Sequence, residues 1–579
     1  MTHPRLLLSA AVGLAVTLGA TGVAARFARQ APVPPADLVL RNGRIVTLDA
    51  ARPEAQALAA RAGHIVAVGS NAQVEHYIGA STQVIDLGGE LATPGFIEGH
   101  GHFTGIGQMK LGLELQNAKT WDDIVALVAE AVKKAKPGQW IEGRGWHQEK
   151  WAHPPQPNVE GFPTHASLDA VSPNNPVVLT HASGHGAFVN AKAMALSGIT
   201  RDSPNPEGGE ILKDRSGDPV GFLRERAAGL VKRGAGEPVP TPAEADARAR
   251  RILVLADHEV TSKGITTFED AGSSPAVIDQ MKRLLDAHDL SVRLWVMIGA
   301  RDTPNLASVL DPYRMLGYDD GHLTVRAIKA YMDGALGSRG AWLLEPYSDK
   351  PDSTGLEVMP LDEIRRIAQL AIDHGYQFCI HAIGDRANRE VLNVYEGAFK
   401  KNTKNGKDVR WRIEHAQHLS AADIPRFGQL GVIASMQAIH CTSDAPYVVA
   451  RLGAARAEEG AYVWQKLMKS GAIVTNGTDA PVEDVDPIPN YYAAVTRRTA
   501  DGTVFYGGQK MSRMEALRAY TTLNAYAAFE EDVKGSLAVG KLADVTIFTK
   551  DITTVPDDQI KTAKVAYTII GGRVVYKRP

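Results

Sequence analysis

Thr93-Pro94-Gly95-Phe96-Ile97-Glu98-Gly99-His100-Gly101-His102 reads as a short apolar strand that leaves a Thr-Pro-Gly turn and ends on two histidines one residue apart. Alternate residues of a strand face the same side, so both imidazoles can be aimed at one ion. Alone the pair is a weak signal in a chain with 18 histidines. Its weight comes from its surroundings. Ala92 to His102 is the first of eight strand candidates, followed by Gly264 to Asp270, Val292 to Ile298, Val325 to Met332, Gln377 to Ile383, Trp411 to Ala416, Val432 to Gln437 and Ala472 to Asp479. Segments of helical period run between them, the pattern of βα units on a parallel sheet. Eight units predict an α/β fold built on a TIM-type (β/α)8 barrel, whose chemistry gathers at the C-terminal ends of the strands. His381 closes the fifth candidate, His415 the sixth and Asp479 the eighth. Several histidines and a carboxylate in one cage suit Zn²⁺ or a similar divalent ion with a position left open for water.

Outward from the barrel the texture changes. Residues 105–241 are too long for a single βα connection and predict an inserted α/β subdomain over the barrel mouth. Before and after it lie glycine-punctuated β runs, Leu38 to Leu40, Arg44 to Thr47, His64 to Val68 and Gln83 to Asp86 at one end, Asp544 to Phe548, Val565 to Ile570 and Arg573 to Tyr576 at the other. Two termini of matching character predict one small β-sandwich built from both chain ends, residues 37–91 and 533–579, around a barrel spanning 92–532. Arg5 precedes an apolar run from Leu6 to Ala25 that reads as an export signal, residues 1–25, cleaved after Ala25 or retained as a membrane anchor. Residues 26–36, with Pro32, Pro34 and Pro35, read as a linker. The expected location is therefore outside the cytoplasm, periplasmic or extracellular, with the membrane touched only through a retained anchor.

Composition narrows the function. A formal net charge of −2 with no Lys/Arg block offers nothing to a phosphate backbone, which excludes nucleic acid as the expected partner. Cys379 and Cys441 are the only cysteines, so a disulfide framework or thiolate cage is excluded and any metal is held by nitrogen and oxygen. Lys329, on the fourth strand candidate, is electrostatically out of place beside a dication. Three arrangements neutralise the conflict: carboxylation by CO₂ to an anionic carbamate that bridges two ions, a side chain that reaches solvent, or a pair with Asp333.

These residues carry a resemblance. Pro94-Gly95-Phe96-Ile97 leading to His100-x-His102, Ser183-Gly184-His185 before Val189-Asn190-Ala191-Lys192-Ala193, Glu207-Gly208-Gly209, Lys329-x-x-x-Asp333-Gly334, His381 to Ala387, Arg412-Ile413-Glu414-His415 and Gly477-Thr478-Asp479-Ala480-Pro481 occur in order along the chain. The chain resembles the amidohydrolase superfamily, in the amidohydrolase-3 type branch that includes N-substituted formamide deformylases. That resemblance implies a centre of one or two divalent ions, zinc by expectation, with His100, His102 and Asp479 on one ion, His381 and His415 on the other, and carboxylated Lys329 between them. It implies Asp479 as proton shuttle and places His185 in a substrate-contacting motif, as catalytic helper, with Gln437 and His440 at positions lining the pocket. In one departure Glu98-Gly99 stands where the family usually has Asp-Ser or Asp-Ala, and Glu98 is expected to support a ligand from behind.

The implied activity is hydrolysis of a small molecule's C–N bond, whether amide, N-formyl or cyclic amide, by metal-activated water. Two alternatives stay open: an ester, lactone or phosphoester hydrolase with the same centre, and a metal-bound scaffold without catalysis. Oligomeric state is also open. Trp146, Trp151 and Trp342 are candidates for an apolar pocket wall or for core, and His181 and His185, four apart, for a shared helix face.

Overall fold

The computed structural model describes residues 33–579. The expected export segment and most of the linker lie outside the described residues. Among the described residues no helix is long and apolar enough to cross a membrane.

Eight parallel strands form the central sheet: β1 (Phe96–Gly101), β2 (Ile265–Ser273), β3 (Arg293–Gly299), β4 (Leu323–Tyr331), β5 (Gln377–Ala382), β6 (Arg412–His415), β7 (Ile433–Met436) and β8 (Val474–Asn476). Each pairs in parallel with its predecessor. The nearly closed circle is joined at its ends by backbone bonds, with Asp479 N donating to His100 O at 2.8 Å and His102 N to Ala480 O at 2.6 Å. The strands are buried on both faces, as parallel strands wrapped by helices are. That is why they read as short apolar runs and not as alternating ones.

The first strand is the one whose bounds differ. Leu91–Pro94 belongs to another sheet, pairing antiparallel with Val545–Phe548, and β1 begins only at Phe96. Gly95 makes the change of sheet, and a Cβ there would lie 2.1 Å from Thr266 Oγ1, so the chain crosses where only glycine fits.

Leu91–Pro94 sits in a six-stranded sheet with strands from both chain ends, in the order Arg573–Lys577, Val565–Ile570, Val545–Phe548, Leu91–Pro94, Arg44–Val46 and Glu54–Ala55. A second sheet holds His64–Gly69, Ala57–Arg61, Leu38–Arg41 and Gln83–Asp86. Leu38 and Leu40 share an apolar cluster with Val545, Ile547 and Ile569, while Val39 between them packs with Ala57, Ala59 and Val74, the two-sided alternation expected of a strand. Between β1 and β2 the chain builds a third sheet, in the order Gly209–Lys213, Pro219–Glu225, Gly186–Val189, Val177–His181, Ile141–Trp146 and Leu113–Glu114. The helix Pro242–Ser262, opened by a Thr241 capping box, returns the chain to β2. Residues 35–579 form one compact unit.

Candidate metal centre

The site grows from the strand ends. His100 lies on β1, and His102 is the N-cap residue of the helix Phe103–Leu111. Gly99 and Gly101 face the other way, where a Cβ would lie 2.4 Å from Asn524 Oδ1 and 2.5 Å from Phe268 Cζ respectively. Glycine alternates with the ligand candidates because the outer face of β1 has no room. Lys329 comes from β4, His381 from β5 and His415 from the end of β6. Asp479 follows β8. His415 and Asp479 hold left-handed backbone, φ 75° and 57°, strain that non-glycine residues carry mostly where side-chain placement matters.

All six converge. Asp479 Oδ1 lies 3.2 Å from His102 Nε2 and 3.6 Å from His100 Nε2, and Oδ2 lies 3.9 Å from His415 Nδ1. Lys329 Nζ approaches His100 Nε2 at 3.3 Å. The His381 ring centre is 4.5 Å from that of His415, which is 4.7 Å from that of His100. Two triads each offer ligand atoms within 4.8 Å of one another, His100 with His102 and Asp479, and His415 with His440 and Asp479. Asp479 Oδ1, His381 Nε2 and His440 Nε2 are buried without a hydrogen-bond partner. Buried polar atoms are rarely left so. Bound cations would satisfy such atoms, although His381 falls in neither triad, and the neutral imidazoles, carboxylate and absence of thiolate suit a hard or borderline divalent ion.

Residues 83–576 match the amidohydrolase family. The chain belongs to that family. The Arabidopsis thaliana protein LONG AFTER FAR-RED 3 is 33% identical over 93% of this chain and 92% of its own. The N-substituted formamide deformylase of Arthrobacter pascens is 26% identical over 94% and 98%. A solved structure described as an uncharacterized metal-dependent hydrolase from Pyrococcus horikoshii superposes with TM-score 0.70 at 25% identity, over 90% of this chain and 99% of that one. The chain is thus a metal-dependent hydrolase of the amidohydrolase type.

What holds the amidohydrolase site in place is mostly a layer beneath it. Glu414 Oε2 meets His100 Nδ1 in a short contact, turning the ring so that Nε2 faces the cluster. Arg412 grips Glu414 through Nε at 2.7 Å, also bonds Glu269, and donates to Gly99 O and Ser435 Oγ at 2.7 and 2.8 Å. Despite burial, Arg412 and His100 hold the Glu414 carboxyl well below the usual range. Burial, then the Lys329 charge, lowers the His100 pKa to about 4, and burial likewise drives His381 and His415 down. All three imidazoles are neutral at neutral pH, the form in which histidine can bind a metal. Asp479 stays ionised against burial through His102, His100 and His415.

Several expectations resolve. Glu98 bears on backbone and not on an imidazole: it accepts from Thr478 N at 2.5 Å on the loop that carries Asp479, and the His100 backbone N–H also acts on it. Glu414 supports the His100 imidazole instead, and the signal for it was an Arg-x-Glu at alternate inward positions of a buried strand. Lys329 neither reaches solvent nor pairs with Asp333, being wholly buried while Asp333 accepts from Trp342, Ile383 and Gly384 N–H at 2.8–2.9 Å. His181 ends a strand and His185 stands in the following turn, so no helix joins them. His185 Nδ1 meets Glu225 Oε2 at 2.7 Å, and its ring lies 4.8 Å from His381. Gln437 Oε1 lies 2.7 Å from His415 Nδ1, so it orients that ring. Trp146 and Trp151 pack in the insert's core and Trp342 in the barrel's, none on the cavity. The cavity is lined instead by His185, His440, His147, His181, Asp444 and Tyr447 together with the apolar Ala335, Leu336, Ile383 and Val482.

Proposed function

We propose that this chain is an exported, zinc-dependent amidohydrolase that cleaves a non-peptide C–N bond, in an amide, N-formyl or cyclic amide group, of a small molecule. The observation that carries the reading is the set of buried, unpartnered polar atoms, Asp479 Oδ1, His381 Nε2 and His440 Nε2, gathered at the barrel mouth. The resemblance to an N-substituted formamide deformylase supports the substrate class.

His100, His102 and Asp479 would hold one ion and His381 and His415 a second. When bound, such ions lower the pKa of water and polarise a carbonyl. Asp479, ionised and with one oxygen free of hydrogen bonds, receives the proton of the attacking water and returns it to the departing nitrogen. His185, whose pKa is raised by Glu225 against burial, is held as a donor toward the oxygen that gains charge. His440 flanks the substrate, and Gln437 acts on it only by orienting His415. Lys329 is read as a carbamate, because it is wholly buried, faces His100 and has no carboxylate partner. The terminal sheets are read as one composite β-sandwich and residues 105–241 as a subdomain that shapes the mouth. Export rests on the Leu6 to Ala25 run, and a mature N-terminus at Met1 in the cytoplasmic fraction would refute it.

The test combines turnover with composition. Zinc-loaded protein is expected to hydrolyse members of an N-formyl and N-acyl amide panel, and protein kept with bicarbonate to show an added 44 Da on Lys329 in intact mass. Lys329→Ala is expected to lose metal and activity and to regain part of both with formate. An unmodified Lys329, with Lys329→Met keeping two ions and full rate, rejects the bridge. No turnover of any amide by metal-replete protein rejects the function.

A further inference from the structure

Arg144 lies on the strand Ile141–Trp146 of the inserted sheet, half-buried, with Nε sealed from solvent and unpartnered. Its one hydrogen bond is a long one, Nη2 to Ala182 O at 3.4 Å. The other buried arginines are provided for. Arg412, Arg451, Arg293 and Arg224 meet carboxylates, Arg497 donates to two carbonyls at 2.6 and 2.8 Å and lies over Trp464, and Arg326 lies over Phe529. Among the described residues Arg144 has no ion pair and no ring beneath it. Its Nη2 rests on the turn between Val177–His181 and Gly186–Val189, 3.3 Å from where a Cβ on Gly184 would be. That turn carries Ser183 and His185, which line the same cavity as His381, His415 and Asp479. A guanidinium left this way behind a turn that lines a cavity, without lining it itself, is costly unless an anion arrives.

From this geometry we infer that Arg144 is a specificity residue that binds a carboxylate on the substrate, so that the amides cleaved bear an acid group near the scissile C–N bond. The inference rests on the amidohydrolase reading and narrows its substrate class. The acid that acts most strongly on Arg144 is Asp479, whose charge is committed to metal in the loaded enzyme, so it does not serve as the counterion. Burial lowers the Arg144 pKa only to about 10, and the group remains a cation at neutral pH. Its planar fork matches the two oxygens of a carboxylate.

The experiment is calorimetric binding of N-acetylalanine, both enantiomers, against uncharged N-acetylalaninamide, with steady-state turnover of the same compounds, in zinc-loaded wild type, Arg144→Gln and Arg144→Lys. The wild type is expected to bind the acid at least about tenfold more tightly than the amide, and Arg144→Gln to lose that preference while its affinity for the neutral compound stays unchanged. Arg144→Lys, which keeps the charge and guards against misfolding of the glutamine variant, is expected to retain part of it. Equal binding of acid and amide by wild type, a preference that survives Arg144→Gln, or an equal loss for both compounds overturns the proposal. Arg144-dependent binding of the acid without turnover of any amide would sustain it while sinking the amidohydrolase reading. Turnover of neutral amides with no acid preference does the reverse.

Discussion

Two layers of the barrel interior lie one residue spacing apart and obey opposite rules. In the lower one, Arg412, Glu414, Glu269 and Ser435 are wholly or almost wholly buried and hold one another, the guanidinium being bonded at Nε, Nη1 and Nη2. In the upper one, Asp479 Oδ1, His381 Nε2 and His440 Nε2 are shielded and have no hydrogen-bond partner, Asp479 Oδ1 and His381 Nε2 having only charge contacts, with His102 at 3.2 Å and Asp333 at 3.5 Å. Burial is close in both, so desolvation does not separate them; satisfaction does, Glu269 Oε1 being the lower-layer atom left without a hydrogen-bond partner. A satisfied charge network is scaffold, and an unsatisfied one is a place for a ligand. His100 joins the layers, with Nδ1 on Glu414 and Nε2 in the cluster.

The largest expected effect tests the upper layer. His102→Ala and Asp479→Asn should lose bound metal and at least about 10³-fold in kcat, the ~4 kcal/mol or more that a metal supplies to hydrolysis. The metal-free variants should unfold in urea within about 1 kcal/mol of metal-free wild type, because the removed atoms make few protein bonds. Normal metal content with full rate would end the assignment. The lower layer should respond in the opposite sense. Arg412→Met leaves Glu414 and Glu269 as uncompensated buried charges, and metal-free protein should lose about 3–5 kcal/mol of stability by the same urea measurement. A change under about 1 kcal/mol would show that this layer is not scaffold. Glu414→Gln keeps the shape but removes the charge behind His100, so zinc affinity should fall about 10- to 100-fold with stability less affected than in Arg412→Met. Unchanged zinc affinity in competition with a chelator would uncouple the two layers.

The contrast also explains what was legible in the sequence. The barrel was readable because each strand is a short apolar run bounded by glycine or helix, and the upper layer because histidines and an aspartate end those runs. Glu414 and Arg412 were visible as letters, but their partnership depends on the register that sets β6 between β5 and β7 and brings β1 near, which no single stretch encodes. The break at Gly95 was hidden for a similar reason: residues 92–102 read as one short strand with a turn signal near its start, and only the pairing of Leu91–Pro94 with Val545–Phe548 divides them. Trp146 and Trp151 stood between pocket wall and core in the sequence, since their place in the insert's core depends on partners such as Trp121 and Phe188.

His418 offers the finest test of the comparison, because it is an unsatisfied buried group outside the cluster. Both ring nitrogens are buried and unpartnered, the ring lies against Tyr462, and burial alone lowers its pKa to about 3. It offers an ion no second ligand, so its missing bonds should mark a stability cost and not a site. The sign follows from the depressed pKa. Above about pH 6.5 the imidazole is neutral in both folded and unfolded chains and contributes no pH dependence. Below that the unfolded chain takes up a proton that the folded one refuses, so wild type loses stability as pH falls from about 6.5 toward 3. His418→Met fills a similar volume without polar atoms. It should match wild type within about 1 kcal/mol at pH 7.5, become the more stable of the two by about 1 kcal/mol or more at pH 5, and leave zinc content unchanged. Parallel urea midpoints for the two proteins from pH 7.5 to 5 would show that His418 is protonated or bonded in the fold. Loss of zinc in His418→Met would place it in the upper layer after all.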